Sequence, residues 1–264
     1  MATNTKNIIV GAAALFVSNG NSSNDAGRPS TDNATLTTLF GAGGRSARSG
    51  LLANGSGYRE VGFTNTGLEV SYEPSYGEVQ VDQLLDAARL FKQSLKVMLK
   101  TELTEATLEN LQLSWGQLEN VYATDSTGTS IVNIPTLINN DSAVFTGPDE
   151  AGAVLKMSAG ALGDAPVERT LIAVGNAPAQ IGASVVSVQG GQSIVLDADS
   201  PTAKRTKERV YVARRVVSID TTMHAMKRDS ATVFPVNFRC LPDDAPKYAG
   251  SEYGVVIDRV YGAY

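Results

Sequence analysis

Alternation with a period of two runs through the middle of the chain. Between Leu68 and Pro74, Leu68, Val70 and Tyr72 fall on one side while Glu69, Ser71 and Glu73 fall on the other. A turn is predicted at Pro74 and Gly77, after which Val79 and Val81 oppose Glu78, Gln80 and Asp82. The longest run covers residues 92–103. Gln93, Leu95, Val97, Leu99, Thr101 and Leu103 share one side; Lys92, Ser94, Lys96, Met98, Lys100 and Glu102 share the other. This period is that of a β-strand, and one apolar plus one polar face indicates an antiparallel sheet packed on one side and wet on the other.

The period then changes. Thr104 is a candidate N-cap, Glu105 suits a first helical turn, and Ala106, Leu108, Leu111 and Leu113 supply an apolar side before Gly116. These signals predict one principal helix over 104–115, packed on the apolar face of the sheet. Further strands are expected at 6–17, 153–157, 169–174, 184–188, 193–196, 209–221 and 232–241. Pro235 marks an edge position or a bulge in the last of these, and Gly190-Gly191 a hairpin turn. About ten strands and one helix place the chain in the mainly β class, all-β or β-dominated α+β. Residues 19–57 break this rhythm. They are rich in Gly, Ser, Asn, Thr and Ala, and read as a long glycine-rich loop within a single domain spanning 1–264. A short element at 35–40 is expected to dock within it.

Composition removes several chemistries. The 264 residues carry a net charge of −5, too mild for a nucleic-acid binder. One cysteine, Cys240, excludes an internal disulfide and a cysteine-based zinc site, and one histidine, His224, leaves no imidazole pair for a metal. With one tryptophan, a carbohydrate groove or adhesin is disfavoured. The ten-residue apolar run at 8–17 is too short to span a bilayer and poorly flanked for a signal peptide. The glycines at 41 and 43 lack the rest of a dinucleotide loop, and no Walker A lysine or Gly-x-Ser-x-Gly elbow occurs. A hydrolase would have to use His224, which reads as a surface residue in a polar turn, or a carboxylate pair such as Glu69 and Glu73, which alternation already explains. The reading is a non-enzyme without cofactor or metal. Charge is segregated: residues 58–125 hold 5 basic and 11 acidic side chains, net −6, and residues 201–240 hold 9 basic and 3 acidic, net +6. Such a distribution suits packing between copies or two independent solvated faces.

One set of motifs carries a resemblance. It comprises Gly67-Leu-Glu-Val-Ser-Tyr-Glu-Pro74, Glu78-Val-Gln-Val-Asp82-Gln83, the run Leu95–Lys100, Leu103-Thr-Glu-Ala-Thr-Leu-Glu-Asn-Leu111 and Phe234-Pro-Val-Asn-Phe-Arg-Cys-Leu-Pro-Asp243. Over roughly residues 60–116 and 205–243 the chain resembles the major tail tube proteins of long, non-contractile bacteriophage tails. The glycine-rich insert and residues 117–200 depart from that pattern. The resemblance implies a β-sandwich or barrel tail-tube fold whose sheets join between subunits into one continuous β-barrel. Hexameric rings would stack into a virion tail tube, assembled in the host cytoplasm, through which double-stranded DNA is ejected. The implied partners are further copies of the chain, the tape measure protein, and the tail terminator and baseplate proteins, with DNA passing without specific binding and no membrane involved. The channel wall would carry Glu69, Glu73, Glu78, Gln80 and Asp82, with Lys92, Lys96 and Lys100. Contacts between subunits and rings would use Arg45 and Arg48 in the glycine-rich loop and Lys204, Arg205 and Lys207 in a basic loop. The alternative is the inner tube of a contractile tail or a secretion-type injection system.

Overall fold

The computed structural model describes residues 11–18, 46–53, 56, 58–80, 89–116, 120–123, 152–155, 167–177, 185–188, 192–195, 206–219, 223–224, 226, 228–229 and 231–261. In chain order the elements are β1 (Ala14–Ser18), α1 (Ala47–Leu51), β2 (Tyr58–Glu60), β3 (Thr64–Val79), β4 (Arg89–Leu103), α2 (Leu108–Trp115), β5 (Asn120–Ala123), β6 (Gly152–Leu155), β7 (Arg169–Asn176), β8 (Val185–Val188), β9 (Gln192–Val195), β10 (Thr206–Ser218), β11 (Phe234–Leu241) and β12 (Gly254–Tyr261). The protein is mainly β, as the alternation requires. Eight strands form one antiparallel sheet in the order β2–β1–β7–β10–β11–β4–β3, with β12 as a branch on β10; β5–β6 and β8–β9 are separate antiparallel pairs.

Alternation buries both faces of the central strands. One face gathers Leu15, Val17, Leu99, Leu103, Leu171, Val236 and Phe238, with Leu113 of α2 packed against them. The opposite face gathers Phe16, Ile172, Val174, Val210 and Val212 beneath Ala47 and Leu51 of α1. Burying a side chain such as Phe16 or Phe238, both essentially inaccessible, is worth about 1.5–3 kcal/mol. Helix α2 is shorter than the sequence predicts. Its N-cap is Thr107, whose hydroxyl accepts from Asn110 N, while Thr104 N donates to the Phe63 carbonyl and so still belongs to the sheet end. Gly116 closes it in the left-handed conformation, φ 65°.

The glycine-rich stretch does not remain loop to its end. Ser46 caps α1 by accepting from Ser49 N, and the Glu208 carboxylate of β10 accepts from Ala47 N at 2.8 and 3.1 Å. Ala47 and Leu51 are fully buried, so residues 46–53 help form the second face of the core. The expected element at 35–40 lies outside the described residues.

At β10 the sheet divides. Along one edge β10 pairs with β7 from Glu208 to Val216, whereas along the other it pairs with β12 over Thr206–Ala213 and with β11 over Arg215–Ser218. The switch coincides with a bulge between Ala213 and Val216, where the strand is re-aimed. Gly254 opens β12 at φ 151°, and a Cβ there would lie 2.0 Å from the Val212 carbonyl oxygen, so only glycine permits this close approach. Pro235 sits in a strand with neighbours on both sides, yet at its own position only β4 flanks it, because β10 joins from Phe238 onward. It therefore removes no ladder donor.

Candidate assembly surface

Strands β3 and β4 outrun the sheet. Neighbouring β11 pairs with β4 only from Leu103 to Met98, whereas β3 and β4 continue pairing to Val79 and Arg89. The nine residues of β4 beyond Met98 make a two-stranded arm about 30 Å long at ~3.3 Å per residue. Among the described residues the outer edge of β3 pairs with no strand. Both sides of the arm are wet: Val70, Tyr72, Tyr76, Val79, Leu90 and Phe91 are all exposed, Tyr72 and Leu90 at 61%. A two-stranded ribbon of this kind is marginal alone, and an open apolar edge is a template for pairing with another chain.

The predicted turn at Pro74 and Gly77 does not form. Strand β3 runs unbroken from Thr64 to Val79, because Pro74 lies on an edge strand and Gly77 leaves room for the Phe91 ring opposite it. A Cβ on Gly77 would sit 2.6 Å from Phe91 Cζ. The phase of the residues beyond Pro74 changes accordingly. Glu69 and Glu73 share the polar face and lie directly across from Lys100 and Lys96. Glu78, in even phase with Tyr72 and Tyr76, belongs to the opposite face, across from Leu90. On β4 an extra residue, Gln93, separates the partners of Ser75 and Tyr76. This bulge turns Lys92 away from Lys96 and Lys100: it pairs with Tyr76, and its Nζ lies 3.2 Å from Tyr72 Oη, donating to it, and 5.5 Å from the ring centroid. Glu69, Glu73, Lys96 and Lys100 thus share one face, which continues past the bulge to Phe91 opposite Gly77 and Arg89 opposite Val79, and Glu78 and Lys92 do not belong to it. Gln80 is exposed just past β3, and Asp82 lies outside the described residues.

The basic segment is largely paired inside its own chain. Arg209 makes a two-point contact with Asp258 at 2.6 and 2.7 Å, and Arg215 one with Glu168 at 2.8 and 2.6 Å. The Arg209 guanidinium holds the Asp258 carboxyl below the usual carboxylate range, chiefly through these hydrogen bonds. Arg214, its pKa pushed down by burial, lies 4.1 Å over the Tyr248 ring and donates to Ser251. Arg259 bonds Glu208, the carboxylate that docks α1. Arg48 bridges to Glu60 of its own chain at 2.8 Å. Lys207 is half-buried on β10 opposite Val260; Arg45, Lys204 and Arg205 lie outside the described residues.

Two features escaped the sequence reading. His224 is not a loose surface residue: its ring meets Phe234 edge-on at 4.9 Å and lies 6.3 Å from Trp115. Strand β12 carries Val255, Val256 and Ile257, a run that signals a strand but follows the glycine-containing segment 249–254. Where β12 and the β11–β4–β3 branch separate, an apolar cleft of about 300 Å³ opens, lined by Val70, Tyr72, Val97, Leu99, Tyr253 and Val256. The Cys240 thiol also lines it, buried and pushed up to about 11 by desolvation. Among the described residues no group of His, Cys, Asp and Glu is arranged to hold a metal ion, and no helix is long and apolar enough to cross a membrane. Compared with known proteins, the chain matches no family model and no curated protein.

Proposed function

We propose that the protein is a structural subunit that polymerises into a hollow tube, the major tail tube subunit of a long, non-contractile bacteriophage tail. The observation that carries this reading is the arm. Roughly 30 Å of paired backbone leaves the body with apolar side chains on show and an open edge on β3. A neighbouring copy that extends the ladder across that edge satisfies its backbone groups and covers Val70, Tyr72 and Tyr76. Repetition around a ring closes the sheets into a barrel and abolishes the edges altogether. The resemblance of residues 60–116 and 205–243 to tail tube proteins supplies the hexameric ring and the cargo.

In this arrangement the polar face of β3 and β4 lines the channel, with Glu69, Glu73 and Glu102 balanced by Arg89, Lys96 and Lys100 as its charged groups, and the Tyr72 face packs outward. Cross-strand opposition of each glutamate and lysine contributes roughly 0.2–1 kcal/mol per pair. The result is a wall without a surplus of positive charge. Such a wall gains nothing from counterion release and does not hold a duplex by its phosphates, so DNA slides through. Electron microscopy of the purified protein at high concentration tests the reading: hollow tubes of uniform width support it, and solitary particles at every concentration refute it.

A further inference from the structure

The outer edge of β3 is the longest open edge among the described residues. Past the bulge between Thr64 and Leu68 it continues to Val79, twelve residues, against three on β2 and eight on β12. Such an edge pairs with other chains unless charge, a bulge or a proline blocks it. Charge does not block this one. Glu69 and Glu73 lie opposite Lys100 and Lys96, and Glu78 is diagonal to Lys92, so the edge carboxylates are matched within the arm. The bulge at Gln93 is on β4 and leaves β3 unbroken. What remains is Pro74. In an antiparallel pair the N–H and C=O of one residue point the same way, and successive residues point to alternate sides. Thr104 N donates to the Phe63 carbonyl, on the β3 side of β4. Counting back in twos, Lys100, Met98, Lys96 and Ser94 also face β3, and Leu95 faces away. Strand β11 agrees: Ile219 N donates to the Asn237 carbonyl, so Asn237, opposite Lys100, is turned from β4. The Leu95 carbonyl accepts instead from Tyr253 Oη, at 3.3 Å. Pro74, across from Leu95, is therefore turned outward, in one row with Val70, Tyr72, Tyr76 and Glu78. In the middle of that row the N–H is missing.

We propose that Pro74 is a stop that prevents two copies from pairing along their β3 edges. On one side of it the uninterrupted edge is six residues, Leu68–Glu73, and on the other five, Ser75–Val79. Any longer ladder from a second copy has to cross Pro74. There the incoming strand finds no donor, one of its own carbonyls is left unpaired, and the pyrrolidine ring stands where an N–H would be. A lost ladder bond with an unpaired carbonyl weakens the association by about tenfold or more. The like edge of a second copy is the partner to be excluded, because it is the one open edge that matches the full length of β3. The stop does not depend on tube formation. It governs how the free subunit avoids sheet-like aggregation, and within a tube it requires the ladder of a productive neighbour to end or break at Pro74.

Pro74→Thr in the full chain tests it, since threonine restores the donor and suits a strand. The urea unfolding midpoint is expected to match the parent's, because the restored group faces outward. In dilute solution, light scattering and thioflavin T fluorescence are expected to rise about tenfold faster or more. Aggregation at the parental rate overturns the proposal, as does faster aggregation accompanied by a lowered urea midpoint. A second variant ties the effect to this edge. Pro74→Thr/Tyr76→Pro moves the gap two residues along the same outward row and is expected to restore the parental rate; continued rapid aggregation overturns the stop. A third checks the direction of the row. Ser71→Pro removes a donor that points at β4 and is expected to lower the urea midpoint, and an unchanged midpoint contradicts the assignment. Electron microscopy keeps the stop apart from the tube. Thioflavin-positive sheets from Pro74→Thr uphold the stop even if neither protein forms hollow tubes. Faster growth of hollow tubes without thioflavin-positive material overturns the stop and leaves the tube standing.

Discussion

The body of the sheet and the arm are parts of the same antiparallel ladder, and β4 belongs to both. Over Met98–Leu103 it has neighbours on two sides, and its apolar side chains are sealed beneath α2. Over Arg89–Val97 it has only β3: Leu95 and Val97 keep the alternation and are half-buried, and beyond the bulge at Gln93 Leu90 and Phe91 stand in water on opposite faces. The periodicity that builds a core in one half therefore builds an unfinished surface in the other. The body draws its stability from within the subunit. At its base the arm still packs within the subunit, where Val97 meets the core and Tyr253 Oη donates to the Leu95 carbonyl; beyond the bulge Leu90 and Phe91 stay exposed, and the proposed function assigns them to contacts between subunits.

The sharpest way to break that comparison is to truncate one aromatic in each region. Phe238→Ala should destabilise the monomer by about 3–5 kcal/mol in urea unfolding, whereas Tyr76→Ala should stay within about 0.5 kcal/mol yet impair assembly. Equal losses would mean that the arm is part of the folded core. Next in size is the dock of α1. Glu208→Ala removes the acceptor of Ala47 N and the partner of Arg259, and should cost about 1–3 kcal/mol. Deleting 41–57 would strip Ala47 and Leu51 from the core, so that segment cannot be a dispensable connector between rings. A deletion protein that melts like the parent would contradict this.

A smaller effect is confined to acid. The folded pKa of Asp258 is depressed by Arg209. The stability it contributes is present above the unfolded value, about 3.9, and is lost as pH falls through the lower folded value. Asp258→Asn should therefore flatten the acid limb of a stability-against-pH profile and leave its neutral-to-basic limb parallel to that of the parent. An unaltered acid limb would show that the pair is idle.

Much of this architecture is legible in the residues. The alternation over 68–73 and 95–103 specifies two strands and their faces, and Gly116 specifies where α2 stops. The misreadings share a physical cause, which is that a local signal was outweighed by a distant neighbour. Pro74 and Gly77 read as a turn, but an edge strand tolerates the proline and the Phe91 ring occupies the space the glycine leaves. The bulge at Gln93 has no mark of its own, and it moved Lys92 to the tyrosine face. Helix α1 is five residues long in a glycine-rich stretch. Its start was visible only as Ser46 before Ala47, and its anchor, Glu208, lies 161 residues away in sequence. Within 201–240, Arg209 and Arg215 meet Asp258 and Glu168 of the same subunit, partners that the charge of the segment by itself does not reveal.

Amide hydrogen exchange, followed residue by residue in dilute monomer and in concentrated assembly, addresses the central claim most directly. Core strands reach the protection of global unfolding, while local openings proceed at far lower cost. The account predicts slow exchange in β7, β10 and β11 in both states, and fast exchange along residues 72–79 and 89–97 in the monomer that slows by about a hundredfold or more on assembly. An arm already as protected as the body in dilute monomer, or one whose exchange does not change when copies associate, would contradict it.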